Sequence, residues 1–148
     1  VSRGLILFAF LVVLVALDGC GSGSSTVSKE EFAQELKLVC NKGLQEQEKL
    51  IRDLTQEYYE QREERATPEY QAENLRKVVD AYQNTTSKIA EIDLPEGEEE
   101  KVEDMIRARE EAAAKIEASP LGTRDNVEII FRDADAQAKA LDAPTCVL

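Results

Sequence analysis

Carboxylates are the most abundant chemically useful side chains in this sequence: thirty Asp and Glu among 148 residues, with no histidine at all. Facing carboxylates can hold a hard metal or divide acid and base roles between them, and ferritin-like bundles build di-iron sites from Glu together with Glu-x-x-His pairs. Without histidine that ligand set cannot be completed. Glu57, Glu60, Glu64 and Asp80 are the acids that helical spacing could turn inward, yet a solvated face accounts for them. The run Glu98-Glu99-Glu100 needs only the positive end of a helix dipole. No Gly-rich phosphate loop, Ser/His/Asp set or Cys-x-x-Cys occurs, so nucleophilic and cofactor chemistry have no visible apparatus. The expectation is a non-enzymatic protein without metal or cofactor; a carboxylate metal-dependent enzyme is the weakest alternative. One cluster has a recognition-type composition: Tyr58, Tyr59, Arg62, Arg65 and Tyr70 gather around one turn, and Tyr and Arg are enriched at binding hot spots. The competing explanation is that these tyrosines cover the end of the core.

Three cysteines, Cys20, Cys40 and Cys146, remain to be assigned. The context of Cys20 is a targeting signal. Arg3 precedes an unbroken apolar run of thirteen residues, Leu5 to Leu17, shorter than the roughly 20 needed to span a bilayer and within the roughly 7 to 15 of a signal-peptide core. Leu17-Asp18-Gly19-Cys20 then resembles the lipobox of bacterial lipoproteins: an aliphatic residue three before the cysteine, a small one just before it, and the cysteine. Asp18 departs from the small or uncharged residue usual there. The resemblance implies that residues 1–19 are a lipoprotein signal peptide and that Cys20 carries lipid such as palmitate. It also implies that Gly21-Ser22-Gly23-Ser24-Ser25-Thr26, within a tether over 20–27, sets a domain off the outer face of the membrane. The alternative is an ordinary signal peptide cleaved near Gly19, which leaves Cys20 a free thiol or a disulfide partner.

Acylation of Cys20 leaves two cysteines, and outside the cytoplasm a Cys40–Cys146 disulfide can form and persist. Removal of residues 1–19 takes away one basic and one acidic residue, so the net charge stays at −12. A chain this acidic repels a phosphate backbone, so nucleic acid is not an expected partner.

The elements that must position these residues read as four amphipathic helices over 28–148. Ser28-Lys29-Glu30-Glu31 has the form of a capping box. Phe32, Leu36, Val39, Cys40, Leu50, Leu54 and Tyr58 then recur at helical spacing, with Leu44 and Ile51 on the shoulder, to an end near Arg65-Ala66. Gly43 and Gln47 interrupt that face, through a bend or a close helix contact. Thr67-Pro68-Glu69 starts a second helix reaching about Asp93, with Leu75, Val78, Val79, Tyr82, Ile89 and Ile92 buried. Pro95-Glu96-Gly97 marks a turn, and Val102, Met105, Ile106, Ala113 and Ile116 form the seam of a third helix. After Ser119-Pro120-Leu121-Gly122, a fourth carries Val127, Ile130, Phe131, Ala134, Ala138 and Leu141 and ends at Ala143-Pro144. Short connections favour an antiparallel up-down four-helix bundle, which would bring Cys146 back beside Cys40.

Leu38-Val39-Cys40-Asn41, the turn Leu94-Pro95, and the stretch Ala140-Leu141-Asp142-Ala143-Pro144-Thr145-Cys146 resemble the small helical lipoproteins of actinobacteria, over most of the mature chain. The resemblance implies an extracytoplasmic helical domain and no known activity. The expected function is a membrane-anchored interaction module for an envelope protein, polymer or small ligand; the alternative is a structural or self-associating helical spacer.

Overall fold

A computed structural model describes residues 27–61, 67–122 and 126–147, and the chain is all-helical there. Four helices, α1 (Lys29–Glu60), α2 (Pro68–Ala90), α3 (Glu99–Ala118) and α4 (Val127–Ala140), are followed by a 3-10 turn at Pro144–Cys146. Among the described residues no helix is long and apolar enough to cross a membrane. The expected signal peptide, Cys20 and most of the expected tether lie outside the described residues.

Local chemistry sets the first two starts. The Ser28 hydroxyl accepts from the Glu31 N–H at 3.2 Å, and the Glu31 carboxylate accepts from the Ser28 N–H at 3.0 Å, a reciprocal box that satisfies two otherwise orphaned donors. Thr67 accepts from the Tyr70 N–H at 3.2 Å, with Pro68 in the first turn. The α3 start is held differently: its cap, Glu98, makes no side-chain cap bond and instead pairs with Lys29 of α1 and, at 2.7 Å, with Lys101. Gly97 before it adopts φ +84°, the left-handed conformation that favours glycine.

The end of α4 explains how the tail returns. Asp142 takes φ 53°; its N–H donates to the Lys139 carbonyl at 3.1 Å and the Ala143 N–H donates to the Ala138 carbonyl at 2.9 Å. That pair of bonds is a Schellman cap with Asp in the usual glycine position. It reverses the chain and lays the 3-10 turn against α1, where Cys146 bonds Cys40 across a sequence separation of 106 residues, with Cα atoms 5.0 Å apart.

Neighbouring helices pack in chain order: α2 on α1, α3 on α2, α4 on α3. Contact between α1 and α4 is not comparable, and the 3-10 turn touches both. The disulfide therefore ties α1 to this turn rather than to α4 itself. Two clusters make the core. One joins Phe32, Leu36 and Cys40 to Ile89, Ile92, Val102, Met105, Ala138, Ala143 and Cys146, with Val147 packed against it; the other joins Val79 and Tyr82 to Ala112, Ala113, Ile116 and Phe131, without α1. The tail beyond Pro144 thus docks with apolar contacts of its own.

Several sequence expectations need correction. α1 is one helix to Glu60 rather than to Ala66, and α2 stops at Ala90, short of Asp93. Gly43 and Gln47 do not interrupt the buried face but belong to it, whereas Leu44 and Ile51 are exposed. Gly43 is buried because α1 and α2 approach closely there, which settles the choice between bend and close contact. Thr85, Thr86, Arg109 and Ala112 are buried residues that the apolar pattern does not name.

Candidate binding groove at the far end of the first two helices

The lengths of α1 and α4, 32 and 14 residues, decide where the site lies. At about 1.5 Å per residue α1 outruns α4 by roughly 27 Å. Past Gln47 its inner face meets α2 and the turn after α3. The result is a groove of about 410 Å³ lined by Ile51, Leu54, Thr55, Tyr58 and Tyr59 from α1, by Tyr70, Gln71, Asn74, Leu75 and Val78 from α2, and by Pro120 and Leu121.

Three of the five expected recognition residues line it. Tyr58 is half-buried and Tyr59 is 70 % exposed, their rings edge to face at 5.8 Å; Tyr70 is half-buried. Arg62 and Arg65 lie outside the described residues. Sequence reasoning missed Asn74, Ile51 and Leu121 as parts of this site. No side chain in the lining is charged. The Thr55 hydroxyl turns back to its own helix, donating to the Ile51 carbonyl at 2.6 Å. Asn74 is different: its Oδ1 is buried and has no hydrogen-bond partner among the described residues. An unmet amide oxygen buried behind an apolar wall costs about 1 to 3 kcal/mol.

The acids considered for metal binding do not converge. Glu60 and Asp80 are exposed, Glu57 is half-buried, Glu64 lies outside the described residues, and no group of three or more metal-ligating side chains forms among those described. Near the groove, Arg52 and Lys77 are each engaged by a glutamate one turn away, Glu48 at 3.7 Å and Glu73 at 3.1 Å.

No family model, curated protein or solved structure matches this chain.

Proposed function

We propose that the protein is an extracytoplasmic, lipid-anchored binding module that takes an uncharged, largely apolar ligand into the groove at the far end of α1 and α2. The observation that carries this reading is the groove: about 410 Å³ falls within the roughly 300 to 1,000 Å³ usual for small-molecule sites, which are mostly apolar with a few placed polar groups. Charge chooses the ligand class. A lining without charge favours a neutral body, and the Tyr, Thr, Gln and Asn side chains among the apolar ones supply the few polar groups. An anchor at Cys20 supports the same reading, because Ile51 stands 22 residues beyond the start of α1, or about 33 Å along the helix. That distance presents the groove away from the membrane.

The test is a titration of residues 27–148 with the neutral apolar dye Nile red. Saturable binding of one dye per chain is expected. Tyr59→Ala should weaken it several-fold with little change in melting temperature, and Ile51→Asp or Leu121→Asp, which place a charge at an already exposed position, should weaken it further. Absence of saturable binding, or binding indifferent to all three substitutions, would remove the groove as a ligand site.

A further inference from the structure

Arg109 is the least expected residue of the interior. It sits on the buried seam of α3, only 3 % exposed. Its Nε donates to the Thr86 hydroxyl at 2.9 Å, its Nη1 donates to the Cys146 carbonyl at 3.2 Å, and its guanidinium lies 3.9 Å from the centre of the Tyr82 ring. A guanidinium has five N–H donors, so three find no oxygen acceptor among the described residues. Among the described residues no carboxylate comes within ion-pair distance; Asp135 acts on it only from further away. Tyr82 is no counter-ion either, since burial pushes its phenol up to about 12. A buried charge left unpaired is among the costliest arrangements a fold can hold.

Beside the guanidinium is a second cavity, about 10 Å³, bounded by Cys40, Gln47, Thr85, Arg109, Thr145 and Cys146. That volume is at the lower limit for one water, so a halide needs a small outward shift of the walls and anything larger a substantial one. Three polar side chains border it: Thr145, whose buried hydroxyl has no hydrogen-bond partner among the described residues, Gln47 with a buried amide, and Arg109 with its remaining N–H groups and its positive charge, all three able to donate to an anion. A water would meet the donors and leave the charge. Phosphate, sulfate or a ligand carboxylate exceeds the room.

We infer that this cavity is a binding site for a single monatomic anion of chloride size, held by Arg109, Thr145 and Gln47 and joining α3, α1 and the 3-10 turn. The ion gives the tail an electrostatic attachment beside the covalent one, and it is independent of whatever occupies the groove. Because an ion that binds only the folded state stabilises it by mass action, melting temperature reports occupancy.

The purified protein, with the disulfide intact, is melted at fixed ionic strength while sodium gluconate is exchanged for sodium chloride or bromide. A rise of several degrees that saturates with halide is expected, and Arg109→Met should abolish it. Should Arg109→Met fail to fold, Thr145→Val leaves the cation in place and should raise the halide concentration for half-effect several-fold. Crystals grown in bromide should show an anomalous peak beside Arg109. Superimposable melting curves in gluconate and chloride, a halide response unchanged by Thr145→Val, or a water alone in the bromide crystals would overturn the inference.

Discussion

The backbone of Gly43 runs so close to Thr85 that a Cβ at position 43 would fall 2.3 Å from the Thr85 hydroxyl oxygen and 2.5 Å from its methyl carbon. Glycine at this point of α1 is a requirement of the α1–α2 approach. Gly43→Ala gains up to about 1 kcal/mol of helix propensity and meets an overpacking cost of roughly 1 to 3 kcal/mol. Because the Thr85 Cβ is also only 2.9 Å away, the upper part of that cost applies and a net loss of about 1 to 2 kcal/mol is expected. In Gly43→Ala/Thr85→Ala the two nearest atoms are gone, so denaturant melts should show partial recovery. Additive losses would mean that the helices separate freely.

Cys146→Ser, or reduction, should lower the melting temperature while the helical circular dichroism survives. Closing a loop of this length constrains the unfolded chain by up to about 4 to 5 kcal/mol on a chain-entropy argument, and a domain of this size shifts by roughly 3 to 6 °C per kcal/mol. The apolar seams specify the helices and do not depend on the bond. Full labelling of both thiols in unreduced, denatured protein would rule the bond out.

Acid sensitivity should concentrate at Glu98. Lys101 and Lys29 hold its carboxyl at about 2, against an ordinary 4.5. A carboxylate with a depressed folded value contributes stability that is complete above the unfolded value and is lost as pH falls toward the folded one. The window therefore runs from about pH 4.5 down to about pH 2. Glu98→Gln should melt lower than the wild type at pH 6 and converge with it near pH 2. Parallel profiles over that range would show that the Lys29–Glu98 contact between α1 and the start of α3 carries no stability.

Cys20→Ser tests the anchor. If the lipobox reading holds, the variant should leave the membrane fraction or accumulate as uncleaved precursor. Mass spectrometry of the wild type should find residues 1–19 removed and Cys20 acylated; an unmodified Cys20 at the mature N-terminus would defeat the proposal.

What could be read in the sequence was what is decided locally. Ser28 with Glu31, and Thr67 with Pro68, announce two helix starts because a cap involves only four or five consecutive residues. The pairing of Cys40 with Cys146 followed from parity once Cys20 was set aside. Arg109 does not stand out in the sequence because a charged side chain is ordinarily assigned to solvent, although 102, 105, 109, 112 and 116 share one helical stripe. Thr85 and Thr86 were hidden in the same way between Tyr82 and Ile89. Their hydroxyls escape the usual penalty by donating to Ala81 and Tyr82 carbonyls, each at 3.1 Å. The groove depends on α1 outlasting α4 and on where Leu121 lands, relations that no local pattern encodes. Tyr58, Tyr59 and Tyr70, which line it, stand out by composition alone.

The chain-order packing of the helices bears on how the domain is assembled. Each helix finds its partner in the segment made just before it, so most of the structure can be acquired through short-range closures, the condition for rapid folding. The cluster that joins Phe32, Leu36 and Cys40 to Ala138, Ala143 and Cys146 is the exception, and its disulfide reaches native geometry only when α2, α3, α4 and the reversal at Asp142 are all in place. Closure of the bond is therefore a completion signal, and molecules that stall before α4 docks are the ones that keep two thiols open to crosslinking with other chains.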